Sequence, residues 1–367
     1  MRSLLAGVLL AAAVGLLAFG CDAAASAPAR RSAASAAAVP KVHRRIALIG
    51  FNDNSVAQGL VSPAIDADLL ASTGANTVRV TLNWAVVEPA PGQFNFSATD
   101  ALYQAMAQRG IKVLWIPMFA PGWATGLECL GIVPPCHAPP TTAHDRDWEQ
   151  LIADIAQRYP DSAGIEVWNE PNYVQFWQPR PDPSRYVQLL AEAYQTVKRV
   201  DPSMPVVSAG IGDVPPSQPG DIGLLPYLQD MFADGAGADM DAVAVHPYPY
   251  GADQAPFTAA MDDVQSVLAD HGLSRLPVWI TEMGVSTTGP SAVTPSEQAT
   301  ELDDLYRRAE AIPDVQAVFL HTLLDPPGLP DNPEVGFGIF SAPNHPKPAA
   351  RLVKRLFAAN ARAPSGG

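Results

Sequence analysis

Eight short apolar runs alternate with amphipathic segments along most of this chain, and that rhythm constrains the fold more than any single motif. The runs occupy residues 46–51, 77–84, 112–118, 164–168, 205–209, 242–246, 277–281 and 317–323. Most are near-continuous apolar stretches bounded by Gly, Pro, Asn or Asp, the pattern of parallel strands covered on both faces. Segments of helical periodicity fill the intervals, at 63–72, 97–108, 147–159, 183–200, 257–271, 295–311 and 348–358. Some open on cap-like residues (Ser97, Asp182-Pro183, Thr294-Pro295), and two close on Gly110 and Gly272. Eight strand–helix units are the arithmetic of an α/β protein built as a single (β/α)8 TIM barrel, here over residues 45–360. A doubly wound open sheet is the alternative. It would more often carry a glycine-rich phosphate turn after its first strand, where this chain has Phe51-Asn52-Asp53-Asn54.

The first 44 residues stand outside that rhythm. Arg2 is the only charge before Asp22, and residues 4–19 are continuously apolar, which reads as a signal peptide over residues 1–21. Its end, Ala18-Phe19-Gly20-Cys21, is similar to the lipobox of bacterial lipoproteins, although leucine falls at 17 rather than 18. Lipidation at Cys21 would anchor the protein to a membrane by its N-terminus alone; ordinary secretion is the alternative. Residues 22–44, rich in Ala, Ser, Pro and Arg, read as a flexible tether. Either route places the protein outside the cytoplasm, extracellular or on the cell surface. In that oxidising setting the remaining pair, Cys129 and Cys136, is expected to close a short proline-rich loop as a disulfide, with two free thiols as the alternative. With only His137 nearby, that pair is one ligand short of a closed zinc site.

The formal net charge is −14. A balance this acidic argues against nucleic acid or an anionic membrane surface as a partner. In a barrel the active site lies at the C-terminal ends of the strands. There the second run offers Arg79 and Trp84. The fourth ends in Asn169-Glu170, the sixth in His246-Pro247-Tyr248, the seventh in Glu282, and the eighth carries His321. Trp123 and Trp177 follow runs three and four, as candidate stacking platforms at the rim. Two carboxylates from different strand ends, with planar and hydrogen-bonding neighbours, suit cleavage of a glycosidic bond.

These residues resemble the clan A glycoside hydrolases, the retaining (β/α)8 glycosidases, and families 39 and 5 in particular. Asn169-Glu170-Pro171 on the fourth strand is similar to their acid/base motif, and Glu282 of Thr281-Glu282-Met283-Gly284 to their nucleophile. The stretch from Trp84 to Phe96 resembles the segment after the second strand of family 39. Arg79 and His246-Pro247-Tyr248 resemble positions that hold the nucleophile and bind sugar. The resemblance implies a double displacement on a β-linked oligo- or polysaccharide. Glu282 would attack, and Glu170 would give and then take a proton, the carboxyls standing about 5–5.5 Å apart. Asn169 would bind the sugar 2-hydroxyl. It implies no cofactor and no metal. Two departures limit it: His321 falls where many clan A enzymes have tryptophan, and no stretch corresponds to the β-sandwich common in family 39.

Taken singly, a glutamate at a strand end is more often a salt-bridged surface residue, and Arg79 could be a structural ion-pair partner. His246 could be a satisfied core histidine. Trp84, Trp123, Trp168 and Trp177 are more often packing than platforms, Glu88 reads as structural, and Glu166 could support the site from the barrel interior. The rival readings are a transglycosylase using the same covalent intermediate, a non-catalytic carbohydrate-binding lipoprotein, and a metal-dependent hydrolase built on His246 and His321. The chain is expected to act as a monomer.

Overall fold

The structure, a computed structural model, describes residues 44–126 and 137–364. The expectations for the leader, the tether, Cys21, Cys129 and Cys136 fall outside the described residues. Eight parallel strands close into a barrel in sequence order: β1 (Leu48–Asn52), β2 (Thr77–Asn83), β3 (Lys112–Met118), β4 (Gly164–Glu166), β5 (Val206–Gly212), β6 (Ala242–His246), β7 (Val278–Met283) and β8 (Val315–His321). Closure comes from β1 pairing with β8 on one side and β2 on the other, so that Asn52 lies level with both His321 and Arg79.

Side chains alternate across this sheet. Outward residues such as Val78, Val80, Val243, Val245, Val318 and Leu320 join the large core between sheet and helices. Leu114, Val207, Trp279, Phe319 and the small Ala163, Ala242, Ala244 and Ala317 form a second apolar cluster that fills the lower barrel. Above it the interior turns polar, with Arg79, Glu166, His246 and Thr281 all buried.

The helices are α1 (Pro63–Thr73), α2 (Trp84–Val87), α3 (Ser97–Ala107), α4 (Gly122–Thr125), α5 (Asp145–Arg158), α6 (Pro183–Val200), α7 (Leu224–Ala233), α8 (Ala255–Asp270), α9 (Pro295–Ala311) and α10 (Pro348–Asn360). Helix α9 starts with a full capping box between Thr294 and Glu297. Asp182 caps α6 by accepting from Arg185 N. Gly110 and Gly272 end α3 and α8 at φ 68° and 72°. Ser97 departs from expectation: it is the first helical residue, and Phe96 stands at the cap without a side-chain bond. Helix α7 is absent from the sequence reading because its Leu-Leu-Pro-Tyr start resembles a loop. Pro226 is tolerated in the first turn, where its missing N–H costs nothing. A two-stranded hairpin, β9 (Phe340–Ala342) with β10 (His345–Pro346), precedes α10.

Two strand ends are irregular, and both position the site. The fourth apolar run reads through to Trp168, yet β4 stops at Glu166 because Trp168 turns to φ 74° and Glu170 to φ 41°. On β7 the pairing with β8 slips between Ile280 and Met283. An extra residue there lets the consecutive Thr281 and Glu282 both face inward.

Candidate active site

Arg79 organises the cluster. It is 1% exposed and commits its guanidinium to four partners. Nε and Nη2 donate to Glu166 at 2.7 Å each, Nη2 also to Asn169 Oδ1 at 2.8 Å, and Nη1 to Asn52 Oδ1 at 3.0 Å and Glu282 Oε1 at 2.5 Å. Glu282 is further held by Asn52 Nδ2 at 2.9 Å and by the Tyr248 hydroxyl on Oε2 at 2.7 Å. Burial by itself would raise the Glu282 pKa. The charges of His246, Arg79 and His321 and the Tyr248 hydrogen bond outweigh it and hold the group down at about 2.

Glu170 is placed differently. The left-handed backbone at Trp168 and Glu170 re-aims the chain after β4, and Glu170 N donates to Gly210 O. Its Oε1 lies 2.8 Å from His246 Nδ1. Desolvation by burial pushes Glu170 above the ordinary carboxylate range, against the pull of His246, and the negative Glu282 adds to the rise. The side chains of Glu170 and Glu282 remain 14% and 13% exposed, so both reach the cleft.

One oxygen of each glutamate and one nitrogen of His246 lie within 4.8 Å of one another, a spacing that could hold a cation. The donors are already engaged: Glu282 by Arg79, Asn52 and Tyr248, and both His246 nitrogens by Glu170 and Thr281. The guanidinium occupies the electrostatic place a metal would take, so these residues do not fit one.

Several expected contacts are corrected. His246 is 0% exposed and has no surface to offer a sugar; it sits behind Glu170, with Nε2 on Thr281 Oγ1 at 3.1 Å. Trp84 is fully buried at the start of α2, donating Nε1 to Glu88, which also accepts from Gly92 N. Trp177 is buried edge-on against Trp168 and Tyr186. Neither tryptophan can be a platform, because the chain turns each into the helix layer. Trp123 is half-buried, its Nε1 on Glu88 O. His321 stands at the rim, 16% exposed, with Nε2 3.1 Å from Glu334 and Nδ1 3.9 Å from Glu282. Burial opposes its charge, but Glu334 and Glu282 push it up to about 9. Asn169 lends its oxygen to Arg79 from beside the cleft.

Sequence reasoning missed Asn52, Thr281, Gly210 and Phe337. Phe337 packs edge-on against Tyr248 and His321 at 5.7 and 5.1 Å, completing an aromatic wall beside Glu282. Gly210 donates its N–H to Glu166, and a Cβ there would fall 2.0 Å from His246 Nε2. A glycine at the top of a strand is the signal that could have flagged it.

Solved structures with this architecture include a family 39 glycoside hydrolase from Bacteroides cellulosilyticus WH2 (TM-score 0.67, 24% identity, 88% of this chain and 65% of that one). A monomeric β-xylosidase from Caulobacter crescentus CB15 matches with TM-score 0.66 and 18% identity over 86% of this chain and 69% of its own. GH5_18 from Streptomyces cattleya, solved with GlcNAc, matches with TM-score 0.61 and 20% identity over 88% and 83%. At these identities the likeness shows the fold, and the chain spans 65% of the length of the first. No curated protein matches the sequence. The family model of the glycosyl hydrolase catalytic core matches residues 132–322. That segment exceeds half of the 367 residues and contains Glu170, His246, Tyr248, Glu282 and His321, and the chain belongs to the glycosyl hydrolase catalytic core family.

Proposed function

We propose that the protein is a retaining O-glycosyl hydrolase that cleaves β-linked glycans or glycosides by double displacement. The observation that carries the reading is a pair of carboxyls whose oxygens approach within 4.8 Å and whose environments drive them to opposite protonation states. Retaining enzymes hold their carboxyls about 5–5.5 Å apart, whereas inverting enzymes leave roughly 6.5–9.5 Å for a water.

Glu282, ionised, attacks the anomeric carbon, and the glycosidic bond breaks as a glycosyl–enzyme ester forms. Glu170 meanwhile passes its proton to the departing oxygen. In the second step Glu170, now a carboxylate, takes a proton from water as that water displaces Glu282. Oε1 of Glu170 faces His246, which leaves Oε2 for the leaving group and the water. Tyr248, His321 and Phe337 wall the sugar site, and Asn169 lies within reach of a hydroxyl beside Glu170. A neutral glycan suits a chain whose formal net charge is −14.

Export, with Cys21 lipidated, belongs to the same reading, as do the Cys129–Cys136 disulfide and a monomeric state; mass analysis of the mature N-terminus and thiol titration test them. The activity itself is tested with β-xylosides, β-glucosides, β-mannosides and β-linked polysaccharides, beside Glu282→Ala. Turnover that vanishes in the variant, with retained anomeric configuration by NMR, is the expected result. Turnover that persists in Glu282→Ala, or an inverted product, would overturn it.

A further inference from the structure

We propose that Thr281 is a positioning residue: its hydroxyl fixes which ring nitrogen of His246 carries a proton, and thereby the direction of the hydrogen bond to Glu170. The inference rests on the assignment of Glu170 as acid/base above, and the site residues lie in one continuous chain. Glu166 is fully buried and bound on both oxygens by Arg79, so it is a carboxylate and only accepts. Thr281 Oγ1, 3.2 Å from Glu166 Oε1, therefore donates to it. The lone pairs of Thr281 are then what faces His246 Nε2 at 3.1 Å, so Nε2 carries a hydrogen. Gly210 closes the other side of the ring.

With Nε2 fixed as a donor, the 2.8 Å contact between His246 Nδ1 and Glu170 Oε1 holds one proton shared by the pair. Losing it would set a nitrogen lone pair against a carboxylate oxygen on the side of a fully buried ring, which is costly. The arrangement thus keeps the proton on the Glu170–His246 pair until a turn of the Glu170 carboxyl carries the protonated oxygen from Nδ1 to the leaving group, which takes that proton. Without the hydroxyl, a buried Nε2–H would lack an acceptor. The ring would move its hydrogen to Nδ1, donate to Glu170, and favour the ionised glutamate. The other groups that face this pair stay in place: Glu282 with Oε1 3.9 Å from Nε2 on β7, Glu166 on β4, Arg79 on β2, Tyr173 beyond β4, and Tyr248 beyond β6.

The test compares Thr281→Val and Thr281→Ser in the full chain, using aryl glycosides of whichever sugar the wild type cleaves. In Thr281→Val the basic limb of kcat/KM should move to lower pH. Hydrolysis of a poor leaving group should fall by about 10²-fold, the low end of what general acid catalysis supplies, while a dinitrophenyl glycoside is nearly spared. Thr281→Ser should restore both. Equal losses on the two substrates, an unmoved basic limb, or a serine variant as impaired as the valine would overturn the proposal. Ring-15N NMR of the wild type, with the His246 signal assigned by His246→Gln, decides it even if the valine variant does not fold. Nε2 must be protonated in the resting protein, and a bare Nε2 would overturn it. A wild type silent on every glycoside would sink the hydrolase assignment, while the NMR result would still decide the tautomer.

Discussion

The ends of β4 and β7 deliver the same residue type to the same cleft in opposite ways. On β7 a bulge turns Glu282 inward while leaving its backbone in the sheet, and Arg79, Asn52 and Tyr248 converge on its carboxylate. At β4 the strand breaks, the chain passes twice through the left-handed region, and Glu170 arrives with His246 as its one hydrogen-bonding side-chain partner among the described residues. The first environment stabilises a charge, and the second withholds water from one. Surroundings, not residue type, push the two carboxyls in opposite directions, which is what the proposed roles of attacker and proton donor require.

The contrast should break most visibly in catalysis. Glu282→Ala is expected to lose on the order of 10⁶-fold in kcat on every substrate, as removal of a nucleophile does elsewhere. Glu170→Ala should lose about 10²–10⁴-fold in kcat/KM where the leaving group needs a proton and little where it does not, while its slowed second step lowers kcat on every substrate. Kinetics on a series of aryl glycosides of graded leaving-group pKa checks both; equal sensitivity in the two variants would erase the distinction.

Arg79→Met attacks the charged side alone. It strands Glu166 and Glu282 without their cation and should cost about 3–5 kcal/mol in urea unfolding. The sign in pH follows. Glu282 must be ionised, so wild-type activity should persist until pH nears about 2, whereas the stability from its ion pair is lost progressively as pH falls from the ordinary value of 4.5 to about 2. In Arg79→Met that acid limb moves to higher pH. A variant with an unmoved limb would show that Arg79 does not set the ionisation.

Glu170→Gly sharpens the other side. Glycine accepts φ 41° without a Cβ clash, and the substitution also removes a buried carboxyl. An inactive protein more stable by about 1–2 kcal/mol is expected in urea or thermal unfolding. A less stable variant would mean that the His246 contact outweighs the backbone.

The smallest effect concerns a second acid pair, away from the chemistry. Asp53, just after β1, and Asp66 on α1 are both buried and close enough for each carboxyl to act on the other. Burial, with the charge of Asp53, pushes Asp66 up to about 9. The folded state therefore holds a proton that the unfolded chain gives up near 4, and stability declines as pH rises from there to about 9. Asp66→Asn should flatten that decline and gain roughly 2–4 °C in Tm at pH 9. Parallel Tm–pH curves for the two proteins would refute a shared proton.

Much of this was legible because a barrel repeats. Continuous apolar runs betray strands buried on both faces, and polar residues at their ends can face one rim. That is why Glu170, Glu282, Arg79 and Tyr248 could be named together. Orientation was not legible. Trp84 and Trp177 were placed at the rim by position along the chain, but the turns after β2 and β4 bury them. In Phe51-Asn52-Asp53-Asn54 three polar residues compete, and only the pleat puts Asn52 on Glu282. The break after Trp168 defied an apolar pattern because it is imposed by tertiary contacts, not by local preference.

The left-handed turn at position 170 also shapes the fate of the sequence over generations. A glutamate codon becomes a glycine codon by one nucleotide change, and here that change is expected to relax the backbone. A mutant library sorted only by heat tolerance would accumulate proteins of this shape that no longer turn over. On that expectation, what keeps the glutamate in place is the usefulness of the proposed reaction, renewed in each generation, rather than anything the fold gains from having it.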